Sequence, residues 1–409
     1  MMENARNMDA GAWQIGGADI DALARAVAGV EGFQDIGVED LVPLDTKGLV
    51  HAHVRVTGRD AVLRIPRLNL AGKAPGDNLL YQAACFGRAS ASGHAPQVFG
   101  SIPPMKGIPW GALLVEEVQG KLPYLPDDIG AIARALAAIH GLSVPERGAR
   151  PPLPSHDDPI GSTLKVIEAQ STYLHRADID KQSLAILEGE LAWARSYAET
   201  AAGSDVPVAL VGTDTHPGNF MVDGTGRAVF VDLEKTQYGM PAIDLAHATV
   251  YTSTMWDPDI ATELTDQQVA AFYAEYFDAI PDDLAERVRP GCAPLRRFTW
   301  LRTTTATLKV KSAFSLNEEM NASAVCRIVR ASLRVNDPSI PADVPCDATV
   351  TATSRRRLAT SRRLAAGFKA EYTLSFAVAN VSTGAAAATA ANSLNASAIM
   401  AAAGPPWAA

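Results

Sequence analysis

Short apolar stretches separated by turn residues fill the first part of the chain. Residues 49–56 (LVHAHVRV) and 61–65 (AVLRI) are predicted to form two strands joined by a turn at residues 57–60. Ahead of them, residues 18–30 carry apolar side chains at helical spacing, which predicts an amphipathic helix. Beyond them, the pattern predicts a helix in NLLYQAACFGRA and strands in PQVFGSI and GALLVEEV, so this β-rich part ends near Gly120.

Helical spacing dominates from there to about residue 334. The stretch DDIGAIARALAAIHGL begins with aspartates that can cap a helix, and its isoleucines and a leucine lie on one stripe. The same spacing predicts helices in SLAILEGELAWARSYAE and at residues 265–279, 294–315 and 322–333. A short hairpin at residues 210–233 is predicted to interrupt them.

The composition changes near residue 335. DPSIPADVPCD predicts a proline-rich linker, followed by strands in ATVTAT and EYTLSFAV and by an Ala/Ser/Asn-rich helix. Residues 335–409 are therefore expected to form either a small strand–strand–helix appendage or a partly disordered tail. Their arginine cluster at 355–363 is interpreted as a solvated basic segment, with contact to an acidic partner as the alternative. The predicted divisions of the chain are residues 1–120, 121–334 and 335–409.

Composition and charge argue against several classes of protein. The net charge of −9 and the pI near 5.4 disfavour a general nucleic-acid-binding protein. The N-terminus lacks a basic start followed by an apolar run, and no apolar stretch is long enough to span a membrane. The four cysteines are far apart in the sequence, which favours reduced thiols over a disulfide framework or a zinc site. We therefore expect a cytoplasmic protein without a nucleic-acid or membrane partner.

The most informative stretch is residues 210–246, LVGTDTHPGNFMVDGTGRAVFVDLEKTQYGMPAIDLA. A turn at residues 224–226 separates two short strands. The resulting hairpin would bring Asp232 back beside Asn219, with Asp214 at the mouth of the preceding loop. An amide oxygen and a carboxylate so arranged can hold Mg²⁺, while Asp214 accepts or orients a hydroxyl proton. The alternative is that Asp214 and Asn219 form turns and Asp232 caps a helix.

At these residues the chain resembles the aminoglycoside phosphotransferase and choline kinase-like family, which has the protein-kinase-like fold. The family's catalytic stretch reads approximately LVHGDLHPGN, then IDWE, then GDPxxDLA; this chain has LVGTDTHPGN, VDLE and GMPAIDLA. The resemblance implies that Asp214 is the catalytic aspartate and that Asn219 and Asp232 are metal ligands. It also implies that Asp244 is a structural acid. Over about residues 35–330 it implies a bilobal α+β fold, with a β-rich N-lobe and a mostly helical C-lobe.

The same resemblance extends to a nucleotide site, with ATP and Mg²⁺ as the implied cofactors. LVPLDTKGLVHAHVRV is similar to the family's nucleotide loop, with Gly48 letting the backbone approach phosphates. AVLRIP is similar to the strand that carries a phosphate-binding cation, here Arg64 in place of a lysine; the alternative is a surface arginine. LLVEEVQG is similar to the hinge, where Glu117 and Val118 would offer backbone groups to adenine.

Three departures from the family pattern concern the scaffold. Gly212 replaces a histidine two residues before the catalytic aspartate, so a looser loop is expected. Gln82 lies near the position of the glutamate that pairs with the cation, and an Arg64–Gln82 hydrogen bond is expected to replace that ion pair. Thr213 and Thr215 flank the aspartate where the family often has Gly and Leu.

Few residues indicate the acceptor. His156, Asp157 and Asp158 offer acidic groups of the kind that aminoglycoside-binding members place in the acceptor cleft, or they cap the next helix. A later helix carries three arginines around two aromatic residues: Arg296, Arg297, Arg302, Phe298 and Trp300. The arginines are interpreted as solvated and the aromatic residues as core. If some of the arginines faced the cleft instead, they would suit an anionic acceptor.

The sequence thus predicts an ATP- and Mg²⁺-dependent phosphotransferase that acts on a hydroxyl of a small molecule. The alternative is a pseudokinase, a nucleotide-binding or structural module without turnover, which Gly212 and Gln82 motivate.

Overall fold

Five antiparallel strands form the sheet of the N-lobe, after a short pair made of β1 (Gln14–Ile15) and β2 (Ala18–Asp19). In spatial order the strands of the sheet are β3 (Leu41–Leu44), β4 (His51–Val56), β5 (Ala61–Pro66), β7 (Ala112–Glu116) and β6 (Val98–Ile102). The predicted β4–β5 pair and its turn are confirmed. Gly58 supplies the positive φ of +73° that this turn needs. The pairing places His53 opposite Arg64, so both side chains lie on the same face of the sheet.

Two helices accompany this sheet. Helix α1 (Ile20–Val27) is shorter than the predicted 18–30, because the Asp19 side chain caps it by accepting from Ala22 N at 3.0 Å. Its apolar face joins the core of the sheet. Helix α2 (Pro75–Ala89) begins with a proline at its first position and packs against β6 and β7.

The rest of the described chain is mostly helical. Its helices are α3 (Ile129–His140), α4 (Pro159–Ser171), α5 (Lys181–Ala201), α6 (Pro241–Thr249), α7 (Tyr251–Thr254), α8 (Asp266–Ala279), α9 (Asp282–Val288) and α10 (Cys292–Ser315). Two small antiparallel sheets accompany these helices. One has the order β11 (Ala228–Phe230), β10 (Phe220–Asp223), β8 (Gly120–Lys121), and the other pairs β9 (Ala209–Val211) with β12 (Gln237–Gly239). The predicted bilobal α+β fold is confirmed.

Helix α3 is the centre of the helical lobe. It packs against α8, α6, β9 and β11. Ile132 and Leu136, on its predicted apolar stripe, are completely buried. Because β9 and β11 belong to the segment around residues 210–233, these contacts let α3 support that segment.

Hydrogen bonds to backbone carbonyls tie the two lobes together. Phe230 N donates to His94 O at 2.8 Å. Arg88, on α2, donates to three successive carbonyls, those of Ala149, Arg150 and Pro151, at 2.5–3.0 Å.

The structure is a computed structural model that describes residues 14–15, 17–44, 50–67, 72–177, 179–257, 259–315, 346–355 and 370–378. Two compact units are present: Met1–Lys165 with Trp193–Thr303, and Val166–Ala192 with Thr304–Ala409. The N-lobe and the candidate site belong to the first unit, whereas α4, α5 and α10 each have residues in both units. The predicted boundaries near residues 120 and 334 stay predictions.

The second unit contains the two predicted tail strands, β13 (Cys346–Arg355) and β14 (Ala370–Val378), paired antiparallel. Gly48, the predicted helix at 322–333, the arginines beyond Arg355 and the Ala/Ser/Asn-rich helix lie outside the described residues, as does the proline-rich linker except for Cys346 and Asp347, which begin β13. No helix among those the structure describes is both long enough and apolar enough to cross a membrane.

Candidate active site

The β10–β11 hairpin positions Asn219 and Asp232. Its register pairs Phe220 with Phe230. One step beyond that pair, Val231 N donates to Asn219 O at 2.9 Å. Asn219 therefore lies beside Val231, and Asp232 follows at once, so the predicted return of the hairpin to Asn219 is confirmed.

Asn219 is also joined to Asp214. Its Nδ2 donates to Asp214 O at 2.8 Å across the turn that contains Pro217 and Gly218. Because the amide nitrogen is engaged within the loop, Asn219 Oδ1 is the end of the side chain that can face a cation. The roles of Asn219 and Asp232 as metal ligands stay predictions.

The Asp214 carboxylate has a cationic partner from its own chain. Lys235 Nζ lies 2.5 Å from Asp214 Oδ2, and His247 Nε2 lies 3.8 Å from Oδ1. Burial, the largest single effect, would raise the pKa of the Asp214 carboxyl, but the charge and hydrogen bond of Lys235, together with His247 and His216, hold this pKa well below its usual value. Burial lowers the pKa of His247 to about 3, so this ring is neutral near neutral pH. A carboxylate that is so reluctant to protonate is suited to orient a hydroxyl.

Sequence reasoning missed both neighbours of Asp214. Lys235 and His247 each lie three residues after a motif aspartate, Asp232 and Asp244 respectively. A basic residue shortly after a motif carboxylate was the one sequence feature that could have indicated a cation near the site. Which carboxylate each residue would meet depends on how the hairpin and α6 are packed together.

Asp244 braces the loop that carries Asp214, as the sequence predicted. Its fully buried carboxylate accepts from Gly212 N at 2.6 Å and from Thr213 N at 2.8 Å. Its backbone oxygen accepts from Thr215 Oγ1 at 2.8 Å. His140 Nε2 lies 3.1 Å from Asp244 Oδ2, so α3 supports the carboxylate in turn.

Gly212 does not loosen this loop, and the expectation that it would is wrong. A Cβ at this position would lie 2.5 Å from Phe230 Cε1 and 2.9 Å from Thr215 Cγ2. The Phe230 ring is fully buried and stacks on Phe220 at a centroid distance of 4.9 Å. The glycine therefore permits close packing of the loop on the hairpin, while Asp244 holds its backbone.

Arg64 pairs with Asp232 and not with Gln82. Arg64 Nη2 donates to Asp232 Oδ1 at 3.1 Å, and Nη1 donates to Val231 O at 3.3 Å. Gln82 Oε1 instead lies 2.9 Å from Nε2 of His51, a β4 residue. The expected Arg64–Gln82 hydrogen bond is therefore wrong, because β4 provides a closer partner for the amide.

Arg64 is buried, which excludes the alternative of a surface arginine. It is 7% exposed, and its guanidinium carbon lies 4.9 Å from the centroid of the Phe86 ring. Nη1 also lies 3.2 Å from His53 Nε2. Since a guanidinium only donates, His53 Nε2 accepts, and burial lowers the pKa of His53 to about 3, in keeping with a neutral ring.

The hinge residues follow the last strand before the helical lobe. Glu117 N donates to Asp60 O at 3.0 Å, so this N–H is already used within the N-lobe. The Glu117 carboxylate forms a two-pronged ion pair with Arg55 at 2.5–2.9 Å. The backbone hydrogen bonds between described residues therefore engage Glu117 N, one of the groups predicted to meet adenine, and within those ranges they include neither the Glu117 carbonyl nor the backbone of Val118.

The acidic residues considered for the acceptor have structural partners. Asp158 Oδ1 accepts from Gly161 N at 2.8 Å and caps the start of α4. Asp157 pairs with Arg147 at the surface. The structure thus favours the capping interpretation for Asp158.

The expectation that the α10 arginines are solvated is wrong for Arg296 and Arg302, which are half-buried and bonded within the lobe, whereas Arg297 is exposed as expected. Arg296 donates to Thr249 Oγ1 at 2.5 Å, Arg297 stacks on Trp193 at 3.8 Å from the ring centroid, and Arg302 donates to Thr213 O at 2.6 Å. Their aromatic neighbour Phe298 is completely buried, as predicted for a core residue.

A comparison with protein families gives a match over most of the folded chain. The family described as "Phosphotransferase enzyme family" (APH) matches residues 48–287, more than half of the sequence. The chain belongs to this family. The predicted resemblance is confirmed, and the matched range contains Asp214, Asn219, Asp232 and Arg64.

Solved structures of this fold share little sequence with the chain. A choline/ethanolamine kinase family protein from Mesorhizobium loti is 17% identical, with a TM-score of 0.47, and the match covers 72% of this chain and 87% of that one. The choline kinase LicA from Streptococcus pneumoniae is 15% identical, with a TM-score of 0.43 and coverages of 71% and 91%. The macrolide 2'-phosphotransferase MphH from Brachybacterium faecium is 18% identical, with a TM-score of 0.43 and coverages of 73% and 97%. Among curated proteins, none matches this chain.

The residues of this phosphotransferase-family chain suit the implied Mg²⁺. The candidate donors are an amide oxygen and a carboxylate, which are hard oxygen ligands. Among the described residues, no group of three or more His, Cys, Asp or Glu could hold a metal by itself. A Mg²⁺ ion at Asn219 and Asp232 would therefore take its remaining ligands from phosphate oxygens and water, as is usual for this ion.

Proposed function

We propose that the chain is an ATP- and Mg²⁺-dependent phosphotransferase that acts on a hydroxyl group of a small molecule. One observation carries the proposal. Asn219 is bonded on one side to Asp214 O and on the other to Val231 N, next to Asp232. The candidate hydroxyl-binding carboxylate and the candidate metal ligands thus belong to one hydrogen-bonded loop, which suits a reaction that depends on positioning.

In the proposed reaction, the Asp214 carboxylate accepts a hydrogen bond from the acceptor hydroxyl and aims its oxygen at the γ-phosphorus of ATP. The new O–P bond forms while the bond from the γ-phosphorus to the β,γ-bridging oxygen breaks, and ADP leaves with that oxygen. Because the pKa of Asp214 is depressed, its carboxylate receives the hydroxyl proton only as the O–P bond forms. Mg²⁺ would supply charge neutralisation on the β- and γ-phosphates.

The nucleotide is assigned to the face of the N-lobe sheet that carries Arg64. The Arg64 guanidinium can exchange the Asp232 oxygen for a phosphate oxygen, because its forked N–H donors match the geometry of both carboxylate and phosphate. The adenine is assigned to the Glu117 carbonyl and the backbone of Val118. Gly48, outside the described residues, keeps its proposed role beside the phosphates.

Asp214→Asn and Asp232→Asn test the site. Each should lower turnover by at least about 100-fold, and Asp232→Asn should also weaken binding of Mg-ATP. Asp278→Asn, an exposed position on α8, is the matched control and should leave both unchanged. Wild-type turnover in Asp214→Asn would refute the assignment.

An acceptor panel tests the substrate class. Aminoglycosides, macrolides, choline and ethanolamine are the acceptors that the names of similar structures suggest. The readout is ADP release together with the mass of the phosphorylated product. ADP release without a product that is heavier by one phosphoryl group would point to ATP hydrolysis instead.

A second candidate is a nucleotide-binding module without turnover. Two contacts favour it, since Arg64 and Lys235 each neutralise one of the two carboxylates from within the chain. In that case Mg-ATP should raise the unfolding temperature while no acceptor of the panel is phosphorylated.

A further inference from the structure

Thr213, directly before Asp214, has an unusual backbone conformation. Its φ of +59° lies in the left-handed region, and it is the one non-glycine residue with positive φ within the described ranges. That region is sterically unfavourable for a β-branched side chain. Such a conformation persists only where the surroundings impose it, and it commonly marks a functional turn.

Each polar atom of Thr213 has a partner on a different part of the lobe. Its N–H donates to Asp244 Oδ1 at 2.8 Å, and its Oγ1 donates to Lys235 O at 2.9 Å. Its carbonyl oxygen accepts from Arg302 Nη2 at 2.6 Å. Helix α6, the segment after the hairpin and helix α10 therefore all restrain this residue.

The Arg302 contact differs from the other two because it brings a charged donor. Burial lowers the pKa of the Arg302 guanidinium, while the nearby carboxylates of Asp214 and Asp244 oppose that change. An arginine remains charged near neutral pH, and a charged donor to a buried carbonyl is stronger than a neutral one. Arg302 donates a hydrogen bond to the Thr213 carbonyl, so it fixes the direction of the peptide that leads into Asp214.

We propose that Arg302 is a positioning residue for phosphoryl transfer: by holding the Thr213 carbonyl, it imposes the left-handed turn that presents Asp214 to the acceptor hydroxyl. The proposal rests on the proposed function of this site. In this role Arg302 acts through the Thr213 backbone and not through contact with the acceptor or the nucleotide. Its removal should therefore slow the transfer step more than it weakens binding of either substrate.

The test compares Arg302→Met and Arg302→Lys with Arg296→Met. Arg296 is a matched control because it is also a half-buried arginine of α10, and it donates to Thr249 O at 3.2 Å, away from the Asp214 loop. Arg302→Met should lower kcat roughly 10- to 100-fold with both KM values within about threefold, since a small misplacement of a catalytic group has effects of that size. Arg302→Lys should recover part of kcat, and Arg296→Met should keep kcat within about threefold of wild type.

A second comparison separates positioning from general destabilisation. Glycine adopts the conformation of residue 213 without strain. In a Thr213→Gly background, Arg302→Met should therefore cost much less in kcat than it does with Thr213 present, whereas a purely structural loss would be the same in both.

Two results would overturn the inference. If Arg302→Met keeps the wild-type kcat, or loses no more than Arg296→Met, the inference fails while the proposed function stands. If the wild-type chain phosphorylates no acceptor, the proposed function fails and this inference fails with it.

Discussion

Lys235 Nζ lies 2.5 Å from Asp214 Oδ2, so the candidate hydroxyl-binding carboxylate is paired with a lysine from the other side of the hairpin. Asp214 is 24% exposed and Lys235 is 51% exposed, which leaves the ammonium accessible to a ligand. The pair keeps Asp214 ionised. This relationship makes the chemistry of Asp214 dependent on a residue 21 positions away.

Lys235→Met should shift the protonation of Asp214 to higher pH. Asp214 ionises below its usual range because Lys235 stabilises the carboxylate, so removing that charge raises the pKa. The acidic limb of the profile of kcat/KM against pH should then lie at higher pH than in the wild type. A ¹³C NMR titration of the Asp214 carboxyl would show the same direction without any acceptor. Lys181→Met, at an exposed position on α5, is the control.

Gly212→Ala should destabilise the protein by about 1–3 kcal/mol, the usual cost of overpacking. The added methyl group would lie 2.5 Å from a Phe230 ring that is completely buried. Chemical unfolding measures the loss, and Phe230→Leu in the same chain should offset part of it. Gly224→Ala is the control, because a Cβ there meets nothing within 4 Å. Unchanged stability in Gly212→Ala would contradict the packing described for the loop.

In Glu234→Gln the free energy of unfolding should fall less with rising pH than it does in the wild type. Burial, with the charge of Asp232 adding to it, raises the pKa of Glu234 from 4.5 to about 7. Between these values the folded state binds more protons than the unfolded state, so the contribution of Glu234 to the free energy of unfolding falls as the pH rises through that window. The stability of Glu234→Gln relative to wild type should therefore grow by up to about 3 kcal/mol from pH 5 to pH 8.

Urea unfolding of the nucleotide-free protein at pH 5, 6, 7 and 8 measures this difference. Glu188→Gln, at an exposed position on α5, is the control over the same range. A constant offset for Glu234→Gln would mean that Glu234 does not titrate in this window.

Arg88→Met should destabilise the protein by about 1–2 kcal/mol, because three backbone carbonyls, of the half-buried Arg150 and the exposed Ala149 and Pro151, would lose a charged donor. Thermal and urea unfolding both report the change. Arg134→Met removes an ion pair with Glu275 in which both side chains are about half exposed, and it should change stability by less than about 1 kcal/mol. Equal effects of the two substitutions would contradict the role of Arg88 in joining the lobes.

The local pattern predicted much of the fold. The turn at residues 57–60, the β10–β11 hairpin and the stripe on α3 all depend on short-range spacing, and all are present. The motif spacing also predicted that Asn219 would return to Asp232. These features can be predicted from the sequence because residues close together in the chain determine them.

Contacts between distant residues were not readable in the same way. Arg64 was expected to bond to Gln82, yet its partner is Asp232, which is 168 positions away. Lys235, His247 and Arg302 surround the Asp214 loop, although nothing in their local sequence names their partners. Gly212 was expected to loosen the loop, because the sequence does not show that the ring of Phe230, on another strand, packs closely against this glycine.

The sequence alone determined that a hairpin would bring Asp214, Asn219 and Asp232 into one segment with the pattern of a phosphotransferase family. Only the tertiary structure decided which cations lie against Asp214 and Asp232 and which groups hold the turn at Thr213. The physical reason is range: a hairpin register follows from bonds and turns within a few residues. The charge around each of these carboxylates, in contrast, is set by the packing of helices and strands that are far apart in the chain.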